Sequence, residues 1–348
     1  MKYFKTAFAL ALTQVFMCLS VVQALEINEQ LRIRGKLQTG WQLNGDLNSG
    51  SWSDSIYVQR ARIDGRWTPF DWSKLNLELE LADGESVEVR DAYIAFELDK
   101  ALEITLGRFK KPFSRLRMMS PWELWVPERG LLDQRVVDDT PYGGFGARDL
   151  GLMVSGSIKG PQWLNDELKF SYDMGLFNNM PGDSGAHRDW VTRAQLRLFK
   201  GLVLAANSSV KWYEKSGSFK QALMIGADLK WEWQDLTIQL EGASGDNVNN
   251  DARLWGSHLI VAYTLPLPFS ILDQNKVNVI PALMFEAYDP DTSVAEDLDL
   301  RLAAALNLDL NPQVRLILSA EQIWEDIYAT SNALPDPLSV KLQSNLVF

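Results

Sequence analysis

The sequence predicts an all-β fold, a transmembrane antiparallel β-barrel of about sixteen strands. Three observations lead there: an export signal, period-two alternation along the rest of the chain, and connectors that alternate between short and long. After the signal no stretch approaches the ~20 continuous apolar residues of a membrane-spanning helix. Yet 46% of the residues are hydrophobic and 13 are Trp. A barrel reconciles the two, because its apolar residues recur one in two along each strand and never form a long run.

The signal occupies residues 1–24. Lys2 and Lys5 supply its positive start, Ala7 to Val22 is apolar and uncharged, and Val22-Gln23-Ala24 offers small residues at the cleavage positions. The apolar part is roughly 16 residues, too short for an anchor. Met17 before Cys18 is a poor neighbour for lipidation. The mature chain, 25–348, therefore starts near Leu25 and has no cysteine, since Cys18 is the only one. An exported chain without disulfides needs another source of rigidity, and a closed hydrogen-bonded barrel provides it. Losing the two signal lysines takes the net charge from −11 to −13, which argues against nucleic acid as a partner.

Each strand shows itself by alternation. Leu75, Leu77, Leu79 and Leu81 alternate with Asn76, Glu78 and Glu80. Leu298, Leu300, Leu302, Ala304, Leu306, Leu308 and Leu310 alternate with Asp299, Arg301, Asn307 and Asp309, and Leu236, Ile238 and Leu240 with Thr237, Gln239 and Glu241. In a helix these charges would fall on every face, whereas in a strand they fall on one. Such segments begin near residues 31, 53, 74, 87, 102, 149, 164, 188, 202, 218, 235, 252, 277, 297, 314 and 339. Every other connector is long and polar: Asn44 to Trp52, Ser114 to Arg148, Asn178 to Arg188, Ser244 to Asp251, Asp289 to Asp297, Asp326 to Pro337. Those between are mostly tight, although Gly160-Pro161 and Pro268 to Lys276 read as longer turns. Short turns on one side and long loops on the other characterise outer-membrane barrels, and an even strand count puts both termini in the periplasm. The last strand, Ser339 to Phe348, ends on an aromatic residue, which resembles the signal read by barrel-assembly machinery. A soluble sandwich would also alternate, but a single one of this length would be large. The location implied is the outer membrane of a Gram-negative cell, with its lipid as a partner.

Gly107-Arg-Phe-Lys-Lys-Pro-Phe113, followed by Pro127-Glu-Arg-Gly-Leu131, resembles the signature region of the phosphate-selective porin O and P family. Arg60-Ala-Arg62, Asp91-Ala-Tyr93 and Arg148-Asp-Leu-Gly151 fit the same family in order and spacing, from about residue 30 to 155. The resemblance implies a sixteen-stranded homotrimeric porin whose long third extracellular loop, here 114–148, folds into the pore as its constriction.

In a water-filled barrel the polar face of each strand lines the lumen. Arg32, Arg34 and Lys36 on the first strand, Arg60, Arg62 and Arg66 on the second, and Lys341 on the last form a contiguous basic wall; Arg193 and Arg197 add a second patch. Cations facing lipid would cost ~2–4 kcal/mol at mid-depth, which favours the inward reading. Around the long loop, Arg108, Lys110, Lys111, Arg115 and Arg117 form a run without a carboxylate. Arg115 and Arg117 are expected nearest the narrowest section. Trp122, Trp125, Tyr142 and Phe145 fit equally as anchors of the loop to the wall or as members of an interfacial aromatic belt. Glu78, Glu80, Asp91, Glu97, Asp299 and Asp309 set an acidic wall against the basic one. The expectation is passive diffusion of small hydrophilic solutes, biased toward anions such as phosphate. A general diffusion porin without that preference and a plugged structural or adhesive barrel are the alternatives.

Enzyme-like motifs fall short. Gly182-Asp-Ser-Gly185 looks like a serine-protease nucleophile segment, but His187 and His258 both follow Ser184, so the order of that family's base and nucleophile is broken. Asp289-Pro-Asp-Thr-Ser begins like a calcium loop, yet Val294 stands where the turn needs Gly and Leu300 where it needs Glu. A loose divalent site among the outer carboxylates is the weaker option. No zinc-ligand cluster or phosphate-cradling loop is evident, so no cofactor is expected.

Overall fold

The computed structural model describes residues 25–46, 50–82, 84, 86–138, 140, 142–161, 167–178, 187–271, 275–295, 297–325 and 338–348. The first half contains β1 (Leu25–Asn28), β2 (Leu31–Asp46), β3 (Ser51–Phe70), β4 (Ser73–Glu80), β5 (Glu88–Asp99), β6 (Leu102–Lys110), β7 (Arg148–Lys159), β8 (Lys169–Phe177) and β9 (Arg188–Phe199). The second half contains β10 (Leu202–Lys215), β11 (Ser218–Trp233), β12 (Leu236–Asn247), β13 (Ala252–Tyr263), β14 (Leu265–Ile271), β15 (Asn275–Asp289), β16 (Asp299–Asn311), β17 (Val314–Trp324) and β18 (Leu338–Val347). Neighbours pair antiparallel, and β18 closes on β2 from Leu338↔Gly45 to Val347↔Lys36. The result is a closed barrel of sixteen staves. The short β1 folds back on β2, and β14 prolongs β13 along the first part of β15.

Two boundaries differ from the sequence expectation. The stretch from Pro268 to Lys276 was expected to be a turn, but most of it stays extended, with Ser270 opposite Lys276 and Ile271 opposite Asn275. Pro266 and Pro268 lack N–H donors, and the register shifts between Pro266 and Ser270. The seventh stave, β8, begins at Lys169 rather than near 164.

The outer face follows the alternation. Ile63, Leu77, Leu106, Leu152 and Leu306 are about half exposed and point toward lipid. Beside two short turns, aromatic rings stack: Phe70 on Trp72 on Phe96, and Trp231 on Trp233. Such rings sit well at the headgroup level. The carboxy-terminal seam has its own lock. Phe348 exchanges both backbone hydrogen bonds with Gly35, at 2.6 and 2.9 Å. Its ring lies where a β-carbon on Gly35 would otherwise stand, 2.2 Å from the nearest ring atom.

The inner face is less uniform. On β2 to β7 it carries charges. On β11, β13, β15, β16 and β17 it carries Met224, Ile260, Met284, Ala303 and Ile317, all nearly inaccessible. These pack against Leu116, Leu124, Val126, Leu131 and Leu132 from the β6–β7 connector. The apolar core of this protein is therefore inside the barrel, between a connector and one side of the wall.

Candidate functional site

The β6–β7 connector is built to sit against the wall. After Lys110 it forms a single helical turn, α1 (Arg115–Met118), then a 3-10 turn at Pro121–Glu123 and a wide turn at Asp133–Asp138. Ser114 caps α1 by accepting from the Arg117 N–H at 3.1 Å. The carbonyls that a short helix leaves unpaired are taken by two cations. Lys110 donates to the carbonyls of Arg117 and Met119 at 2.8 and 3.1 Å, and Arg129 to those of Leu116 and Met119 at 3.0 and 2.7 Å. Burial pushes the Arg117 and Arg129 guanidinium groups below their usual range, with Asp133 pulling both back.

Hydrogen bonds tie the connector to strands all round the barrel. Lys111 reaches Asp189 on β9 at 2.5 Å, Arg115 reaches Asp228 on β11 at 2.6 Å, and the Leu116 N–H reaches Glu241 on β12 at 3.1 Å. Glu286 on β15 accepts from the Leu131 N–H; its carboxylate fills the space beside Gly130, whose positive φ and missing side chain allow the approach. Asn307 on β16 donates to Trp125, Arg315 on β17 to Leu124, and Gln38 on β2 to Pro121. On β3 a bulge at Gln59 breaks the pairing, and that side chain donates to Glu128 at 2.6 Å. Trp122 lies against Lys36 and Arg62, 5.3 and 5.2 Å from its ring centre, as cation–π pairs.

Between the connector's tip and the β2–β7 wall lies a cavity of about 660 Å³. Seven cations line it: Arg34, Lys36, Arg62, Arg66, Lys110, Arg148 and Arg315. Six carboxylates face them: Asp64, Glu78, Asp91, Glu103, Glu123 and Asp309. Most of the cations are paired. Arg34 bonds Asp64, Lys36 bonds Glu78 at 2.8 Å, and Arg62 bridges Glu78 and Glu80 at 3.0 and 2.5 Å. Arg148 holds Asp91 at 2.8 Å and Arg315 holds Asp309 at 2.5 Å. Arg66 has no ion pair among the described residues.

Of the fourteen cations singled out by sequence, five line this cavity: Arg34, Lys36, Arg62, Arg66 and Lys110. Arg32 is exposed at the end of β2, in register with Arg66, and lies outside it. Arg60 bonds Gln38 at 2.6 Å, and Lys341 bonds Glu321 at 3.0 Å. Arg193 is buried on Asp228, and Arg197 lies beside Lys159, Lys169 and Lys200 in a separate recess. Two placements depart from the sequence reading. Arg115 and Arg117 do not line the cavity, because Asp228 takes the first while Asp133 and Asp138 take the second. Arg108 pairs in register with Ala92 and Leu150, on the row that carries the exposed Leu106 and Leu152, so it stands on the outer face. There it donates to the Val89 carbonyl at 3.0 Å and lies near Glu88. Sequence reasoning did not single out Arg148, Arg315 and Met118 as lining residues. Arg148 was legible as a loop charge; nothing local marks the other two. Asp289 and Asp291 cap their own turn and a Trp255 indole rather than converging on a cation site. The Gly182–Gly185 motif lies outside the described residues.

Known proteins agree with this architecture. Residues 31–186 match the family model described as phosphate-selective porin O and P. No curated protein matches the chain in sequence. Among solved structures, an anion-selective porin from Comamonas acidovorans superposes with a TM-score of 0.65 at 10% identity, covering 91% of this chain and 99% of that one. OmpF of Salmonella typhi, in complex with daunomycin, gives 0.61 at 12% identity, with 94% and 100% covered. The trimer form of OmpT from Vibrio cholerae gives 0.56 at 12% identity, with 91% and 99% covered. At such identities the likeness speaks for the fold: the chain is an outer-membrane β-barrel of the porin type, and its residues 31–186 match the phosphate-selective porin O and P model.

Proposed function

We propose that this barrel passes small hydrophilic solutes by diffusion, with a weak preference for anions and without strict selection of phosphate. The connector 111–147 acts as its constriction. The observation that carries this reading is the cavity's near balance of charge, seven cations against six carboxylates, with Arg66 free of an ion pair. Interleaved charges set a transverse field across the passage. A phosphate filter would need several unpaired donors converging on one point, and here most guanidinium groups already hold carboxylates. The anion-selective neighbour from Comamonas acidovorans is in keeping with the preference. A homotrimer is the assembly proposed, in keeping with the trimer form of the Vibrio cholerae neighbour. Phe348, locked on Gly35, remains the proposed recognition point for barrel assembly.

The test is the zero-current potential of the purified protein in a planar bilayer under a salt gradient. A small anion-selective potential is expected, moved toward neutrality by Arg66→Gln. A cation-selective potential would show that the carboxylates dominate. Strong block of chloride current by phosphate would restore the phosphate-selective reading. One observation favours a second reading, a plugged barrel: the connector is bonded to most of the wall. Absence of stepwise current would establish it.

A further inference from the structure

Among the described residues of the connector, the large apolar side chains are buried or half-buried, Met119, Trp125 and Tyr142 being half-buried, and Met118 alone is exposed. Phe113, Leu116, Leu124, Val126, Leu131 and Val137 are almost fully buried, whereas Met118 is 40% exposed, and it is exposed into the cavity. It is not a loose end. Lys110, bonded to the carbonyls on either side, fixes the turn that presents it. Tyr93, Phe109, Met153 and Trp122 line the same space. Tyr93 and Phe109 meet edge to face at 5.8 Å. Phe109 and Trp122 are themselves buried, so the apolar surface left open is the Met118 thioether beside the half-buried Tyr93 and Met153, a standing cost unless something apolar covers it.

The charged side of the cavity is in line with this strip. In the strand register Arg66 lies opposite Asn76, and Asn76 opposite Tyr93. Two strand spacings, about 10 Å, thus separate the Arg66 and Tyr93 backbones. Arg66 offers paired donors suited to a carboxylate. A solute with a carboxylate at one end and a ring at the other would satisfy both. A small inorganic anion could use only the first.

We propose that the cavity binds carboxylates with a flat apolar body, of arylalkanoate size, in preference to small anions, with Arg66 taking the carboxylate and Met118, Tyr93 and Met153 the ring. The proposal rests on the reading of the barrel as an open channel. It is tested by block of chloride current through the purified full chain in a planar bilayer, with 3-phenylpropionate compared with propionate. The two share a carboxylate and differ in the ring. Phenylpropionate should block at a concentration at least about fivefold lower, a modest share of what burying a ring can supply. Met118→Gln keeps the size and removes the apolar surface; it should bring the two acids closer together. Arg66→Gln should weaken both. Equal block by the two acids, or a ring preference untouched in Met118→Gln, overturns the proposal while leaving the channel intact. No current at all overturns the channel reading and the proposal with it. Heat-modifiable migration on gels confirms that each variant is a folded barrel.

Discussion

The two inner walls of this barrel make the instructive contrast. The wall of β2 to β7 carries ion pairs beside open space; the wall of β11 to β17 carries methionines, alanines and isoleucines beneath a connector. Charges occur on both, but in different settings. Arg34, paired with Asp64, keeps a third of its side chain accessible, whereas Arg301, held by Glu286 and Glu321 at 2.6 Å each, keeps 2%. In the open setting a pair is solvated and tunes the field on a passing ion. In the closed setting it holds a connector in place, and an unpaired partner would be stranded away from water. Identical chemistry thus lies beside open space on one side and beneath the connector on the other, and what distinguishes the two settings is the connector's path.

The contrast can be broken outright by placing a charge on the dry wall. Ile260→Glu puts a carboxylate into the apolar cluster of Leu116, Leu124, Val126 and Met284, a cost of several kcal/mol. The connector should fail to seat and the heat-modifiable form should be lost on gels. Asn76→Asp, an equivalent change beside the cavity, should shift stability by less than about 0.5 kcal/mol. If both variants fold alike, the dry wall is not dry. Next in size is the comparison of ion pairs. Arg301→Met leaves the buried Glu286 without its cation, while Glu321 keeps Lys341, and should cost about 3–5 kcal/mol in urea unfolding from lipid. Arg34→Met should cost under about 1 kcal/mol. A smaller difference between the two would mean that solvent reaches both walls. The subtlest change is at the edge where the walls meet. Trp122→Ala removes the ring that Lys36 and Arg62 hold; it should loosen the connector's tip and raise single-channel conductance while the barrel stays folded. Unchanged conductance would show that the tip is held by the Gln38 and Gln59 bonds alone.

The basic wall was legible because β2 and β3 alternate cleanly: Arg34, Lys36, Arg62 and Arg66 could only share a face. The dry wall was legible too, and was passed over. The stave Leu300 to Leu310 reads as alternating only if Ala303 and Ala305 are skipped, and both point inward beneath the connector. Val279 to Phe285 is apolar on both faces, which a solvated lumen would not tolerate. Arg108 was passed over in the same way, since alternation puts it on the outward row of Leu106. It follows Gly107, whose positive φ is open to glycine, and it turns to a backbone carbonyl at the barrel's outer face.

The sequence by itself determined the stave count, the closure of the last strand on the first and the faces of most side chains. These follow from a period of two residues and the need to pair every backbone donor in lipid, both of which are local or nearly so. Tertiary structure alone decided which cations remain available. Arg115, Arg117, Arg193 and Arg66 look alike along the chain, yet only the fold brings Asp228, Asp133 and Asp138 to the first three and leaves the fourth facing the cavity. Partners more than a hundred residues apart, as Arg115 and Asp228 are, meet because the barrel has closed.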